Sequence, residues 1–290
     1  MTNKLLVALF IALCFTLGAN AQSSLSSAPN QSSMALGPAR FELEMKPGTE
    51  TTVVVNLDYR NGGNSIQPAR IVASLSDWRM TRDGQIEYYR PGTRPDSASS
   101  WVIYSPGEAA VQPGTVHSIR VTISVPSDAT PGDHLTALIV EQRPDTIKYE
   151  KTSRQMIVRY RMASVFYIKV GTITRRGNFN YLYAESTPNG IVVTPTLKNE
   201  GNTMIRPLES ITIVDADGRI VADFPIIDPL PILAASETAQ AVQIERVLPA
   251  GKYTVKCRVD FQDGSKVIEG ITDLVVKSQV ASVGMISHKP

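Results

Sequence analysis

Histidine, cysteine and net charge are all scarce in this sequence. Its 290 residues include three histidines and two cysteines, and the formal net charge is +2. So few soft ligands argue against a clustered zinc or iron site. A charge balance that close to neutral lacks the basic stripe of a nucleic-acid binder. The longest uninterrupted apolar run, residues 5–15, is shorter than the ~20 residues needed to span a bilayer. No stretch beyond that run has the 3.6-residue periodicity of an amphipathic helix, and no glycine-rich loop precedes a helix to cradle phosphate.

Catalytic groupings are equally scarce. A serine or cysteine nucleophile needs a base held in place by a third group. His117 lies in strand phase with Ile119 and Val121, His134 follows the turn Pro131-Gly132-Asp133, and His288 sits near the end of the chain. The sequence therefore predicts no enzyme and no cofactor or metal.

The first segment reads as an export signal. Met1-Thr2-Asn3-Lys4 is a short positive start, residues 5–17 are apolar, and Ala19-Asn20-Ala21 is a small-x-small cleavage site. Removal of residues 1–21 takes Cys14 with it and leaves Cys257, which cannot form an internal disulfide. Cys257 lies in an alternating strand and is read as a buried apolar residue or a reactive thiol.

The rest of the chain alternates with period two and is broken by turn signals about every ten residues. Residues 22–36, rich in Ser, Asn and Gln, are expected to form a flexible arm. The turns Thr81-Arg82-Asp83-Gly84 and Asp215-Ala216-Asp217-Gly218 each mark a hairpin. The proline-rich residues 225–231 are read as a connection. The length predicts two domains. The predicted architecture is all-β: two tandem immunoglobulin-like sandwiches at 37–170 and 171–277, followed by a tail at 278–290. The expected last strand of the first domain, residues 156–170, has an apolar face of Met156, Val158, Tyr160 and Met162 opposite a largely basic one. An exposed sandwich edge of this kind can pair with a partner strand, or its apolar face can simply cover the domain's own core.

Several local patterns resemble the periplasmic chaperones of pilus assembly by the chaperone–usher route. Pro38-Ala39-Arg40-Phe41 is similar to their opening strand with its arginine. The strand ending in Ser76-Asp77-Trp78 is similar to the one carrying their tryptophan. Gln112-Pro113-Gly114 followed by residues 115–121, and Val165-Phe166-Tyr167, complete the likeness. It implies a periplasmic protein that binds pilus or fimbrial subunits by β-strand donation, with an outer-membrane usher as a further partner. It also implies that Met156, Val158, Tyr160 and Met162 are the donated side chains, and that Arg40 with a second cation anchors the subunit's C-terminal carboxylate. The lysine expected three residues before Tyr167 is Ser164 here, and the nearest upstream cation is Arg161. A structural or adhesive cell-envelope protein that binds a surface polymer or protein is the alternative.

Overall fold

The computed structural model describes residues 33–60, 67–143, 160–226 and 230–277. The expected export signal, Met156 and Val158, and the 278–290 tail lie outside these residues.

Among the described residues the first half contributes ten strands: β1 (Ser33–Gly37), β2 (Arg40–Met45), β3 (Glu50–Arg60), β4 (Ala69–Met80), β5 (Ile86–Tyr89), β6 (Val102–Ser105), β7 (Glu108–Val111), β8 (Thr115–Ser124), β9 (Gly132–Gln142) and β10 (Arg161–Val170). They form two sheets, ordered β1-β3-β8-β6 and β2-β10-β9-β4-β5, with β7 also pairing with β4. Period-two alternation sends Val55, Leu57, Ile119, Val121, Leu138, Val140, Phe166 and Ile168 into one core between the sheets. Residues 33–36 are not an unstructured arm, because β1 pairs antiparallel with β3 from Ser33↔Arg60 to Gly37↔Asn56. The buried Met34 and half-buried Leu36 explain this, since both side chains pack on the core.

The second half contributes β11 (Gly177–Thr187), β12 (Gly190–Asn199), β13 (Leu208–Val214), β14 (Ile220–Ile226), β15 (Glu237–Thr238), β16 (Val242–Ile244), β17 (Gly251–Asp260) and β18 (Ile268–Val276). One sheet is β11-β12 with β15 and β16, and the other is β14-β13-β17-β18. Val193, Leu197, Ile211, Ile213, Val255, Val259 and Leu274 fill a second core. Cys257 lies in it, fully buried. Pro225 sits inside β14, which among the described residues pairs only with β13 and so needs no donor on its outer side. The architecture is the predicted pair of immunoglobulin-like sandwiches, and β10 ends at Val170.

β9 explains how the halves meet. Residues Gly132 to Val140 are all buried, which is unusual for a sandwich strand with a solvated face. Leu138 and Val140 face the first core, while Leu135, Ala137 and Ile139 join Trp78, Tyr167, Met204 and Leu233 in a third apolar cluster. Met204 and Leu233 come from the second half, so this cluster is a domain junction.

Candidate functional site

The site worth building is the rim of the first sandwich where β10 leaves the shelter of β2. The chain crosses from one sheet to the other between β1 and β2. Ser164, fully buried, donates its Oγ hydrogen bond to the Pro38 carbonyl at 2.7 Å and pins that crossing. Ser164 thus replaces the lysine that the resemblance led us to expect, and no cation occupies the position. From there β2 runs parallel to β10 over Arg40↔Val165 to Met45↔Val170. The Val165 amide donates to the Ala39 carbonyl at 2.9 Å.

Amides two residues apart point the same way along a strand. Val165 points toward β2, so Arg161 and Ala163 turn their N–H and C=O groups to that same side. Even-numbered residues point to β9, as the 2.8 Å bond from the Gln142 amide to the Tyr160 carbonyl shows. Among the described residues, no strand pairs with residues 161–164 on the β2 side. This leaves a short open edge.

Side chains along β10 alternate in the same way. Met162 and Tyr160 are half-buried against the first core, on the same face as Phe166, whose ring stacks on Phe41 at 4.9 Å between centroids. They cover the protein's own core rather than standing free. Ala163, Val165 and Tyr167 face the junction instead, and Tyr167 meets Trp78 edge-on at 5.1 Å. Trp78 donates its indole N–H to the Thr136 carbonyl at 3.0 Å. Burial pushes the Tyr167 hydroxyl up to about 12, so it stays neutral.

Charge gathers where the open edge ends. Glu42 Oε1 lies 3.2 Å from Arg40 Nε and 3.1 Å from Arg206 Nη2, while Oε2 lies 3.4 Å from Lys169 Nζ. The buried Arg206 Nη2 has no well-aligned hydrogen bond, so its approach to Glu42 is a charge contact. Three cations therefore share one carboxylate. Arg161, expected to act with Arg40, does not join them. It lies four residues up β10 from Val165, a distance of ~13 Å at the usual strand rise, and its guanidinium sits over the Tyr88 ring at 5.9 Å. Nothing in the local sequence singles out Lys169 or Arg206. Lys169 follows the Val165-Phe166-Tyr167 pattern by two residues, and Arg206 enters from the other domain.

The junction itself is polar at its lower end. Asp133 accepts from Thr203 Oγ1 at 2.7 Å and from the Met204 amide at 2.6 Å, and its own amide donates to the Asn202 carbonyl at 2.8 Å. Burial raises its pKa, while those donors and the nearby Lys169 pull the other way. A second clamp joins the β4–β5 turn to the second domain. Arg82 Nε pairs with Glu237 at 2.9 Å, and the Arg82 carbonyl accepts from the Ala239 amide at 2.7 Å.

Neither His117 nor His134 assembles with a nucleophile among the described residues. His134 packs on Trp101 and hydrogen-bonds the Thr130 carbonyl at 2.9 Å, and His117 is half-buried on β8. Burial pushes the Asp77 carboxyl up, but bonds from the Ser97 and Ser99 hydroxyls and from loop amides outweigh it and hold it below its ordinary value. Asp77 thus organises the loop of residues 93–99. No group of potential metal ligands and no helix long and apolar enough to cross a membrane occurs among the described residues.

No family model and no curated protein matches this chain. Solved structures similar to it include the YadV chaperone, at 11% identity and a TM-score of 0.42, covering 83% of this chain and 99% of that one. The DraB chaperone of E. coli is 15% identical with a TM-score of 0.40, covering 82% and 96%. A chain of the CsuC–CsuE chaperone–tip adhesion subunit complex of Acinetobacter baumannii is 14% identical with a TM-score of 0.40, covering 83% and 98%. On its own geometry, the protein is a tandem pair of immunoglobulin-like sandwiches in which residues 161–164 of β10 have no partner strand on the β2 side among the described residues.

Proposed function

We propose that the protein is an exported, periplasmic chaperone that binds pilus or other surface-fibre subunits by pairing their chain with the open edge of β10. The observation that carries this reading is the pair of residues Arg161 and Ala163, whose backbone groups face away from β9 and meet no strand among the described residues. Unpaired edge groups beside an apolar face are the usual template for an added strand. The half-buried Tyr160 and Met162 offer their remaining surface to the same guest, as the resemblance implies for donated side chains. Met156 and Val158 extend that face in the sequence. Arg40, with 55% of its side chain exposed, stands where the guest strand would end. In this reading Arg40 and Arg206, not Arg161, receive the guest's terminal carboxylate. An usher is the further partner that follows from the same reading. The chemistry is association alone.

Ala163→Pro tests this at the backbone. Proline removes an N–H on the open side and leaves the β9 ladder intact, so the fold tolerates it. Wild-type protein recovered from a periplasmic extract is expected to carry fibre subunits identifiable by mass spectrometry, and Ala163→Pro to lose them while melting within a few degrees of wild type. Equal recovery of subunits by the variant, or their absence from the wild type, would refute the reading.

A further inference from the structure

The cation cluster at the end of the β10 rim is filled from within, and the filling fits poorly. Arg40 and Glu42 lie two residues apart on β2 and so share one face, and Lys169 reaches them from β10. The cations approach Glu42 at 3.1 to 3.4 Å, longer than the ~2.7–2.9 Å of a well-formed charge-assisted hydrogen bond. Arg206 shows the misfit best. Its Nη1 donates to Met204 Sδ at 3.2 Å, which orients the guanidinium, while its buried Nη2 reaches Glu42 without an aligned bond. A buried donor left in that state costs free energy that a better-placed acceptor would recover.

The surroundings favour exchange of Glu42 over addition beside it. A second carboxylate brought into the cluster would meet the Glu42 charge at close range and be repelled. Asp133, the buried carboxylate nearest Lys169, is already committed to the Thr203 hydroxyl and the Met204 amide. Arg40 is open to solvent, whereas the Lys169 side chain is 9% exposed and needs a partner. Glu42 sits on β2, the end strand of its sheet, and is 30% exposed, so its carboxylate has room to swing outward.

We propose that Glu42 is an internal stand-in for a ligand carboxylate. It neutralises Arg40, Arg206 and Lys169 in the free protein and leaves when a carboxylate from outside takes its seat. That the newcomer is a guest chain's terminus rests on the reading of the β10 rim given above; the exchange itself does not. An end group that cannot pair with Arg206 does not displace Glu42, so this residue sets both the affinity and the selectivity of the seat.

Acetate is the probe, compared with chloride at equal ionic strength and neutral pH, with binding followed by NMR of the arginine Nε–H groups and by melting temperature. The full chain carrying Glu42→Gln is expected to bind acetate at least tenfold more tightly than the wild type. It is also expected to melt higher in acetate than in chloride, and the wild type to melt alike in both. Adding Arg206→Ala should abolish the gain. Glu42→Asp keeps the charge but draws it back by one methylene, and an intermediate affinity is expected. Wild-type affinity in both Glu42 variants, or a gain that survives Arg206→Ala, would overturn the proposal. None of these outcomes involves strand pairing. Acetate exchange as expected in a protein that captures no subunits would refute the chaperone reading and support this one.

Discussion

Glu209 is the residue whose environment is most at odds with its chemistry. It takes the inward phase of β13 with Ile211 and Ile213, half-buried beside the second core. Burial alone pushes its carboxyl up to about 7 from an ordinary value of 4.5. Below pH 4.5 the group is neutral folded and unfolded, and there is no penalty. Between 4.5 and 7 the unfolded chain releases its proton and the folded one retains it, so stability falls with rising pH. Above 7 the loss is complete, ~3 kcal/mol at 1.36 kcal/mol per pH unit of difference. Glu209→Gln is therefore expected to raise the urea midpoint of the protein at pH 8 and leave it nearly unchanged at pH 4.5. A gain of equal size at both pH values would show that packing, not ionisation, is responsible.

Among the elements, β11 was hidden from sequence reading and β10 was visible, for opposite reasons. β10 alternates cleanly, with Phe166 and Ile168 on one face and Val165 and Tyr167 on the other. β11 has a register shift between Phe179 and Tyr181, which breaks the period, and its outward face carries Tyr181 and Tyr183. Its placement depends on close approaches that no local pattern reveals. A Cβ on Gly270 of β18 would overlap the Phe179 ring, and one on Gly177 would overlap Phe261. Gly270→Ala is expected to destabilise the second sandwich by ~1–3 kcal/mol, as overpacking commonly does, measurable by thermal or denaturant unfolding. The open edge was legible as a candidate strand, but its limits were not. Those limits come from Ser164 and Pro38, which meet only when the fold is complete. The second cation of the charge cluster, Arg206, comes from the other domain and has no signature in the β10 sequence.

The whole molecule is tied together at Asp133, the Arg82 turn and the Trp78–Tyr167–Met204 cluster. A Cβ on Gly132 would come 2.7 Å from the Asn202 carbonyl, so the two domains approach there backbone to backbone. These contacts should make the sandwiches unfold as one unit. Asp133→Ala leaves the Thr203 hydroxyl and the Met204 amide unpaired at the junction, a cost of ~1–3 kcal/mol. The expected result is one calorimetric transition for the wild type and two separated transitions for the variant. A single transition in both proteins would mean that the apolar cluster suffices.

The crossing at Pro38 also dictates the order of assembly. Ser164 and Pro38 are separated by 126 residues, so the parallel rim they define closes only after nearly all of the first domain has been delivered. Such distant pairing carries a heavy loop-closure entropy and slows folding. β2, which emerges early on any vectorial route, must wait without its neighbour β10 until that strand arrives. Its six residues alternate charged and apolar from Arg40 to Met45, and this keeps the waiting strand soluble.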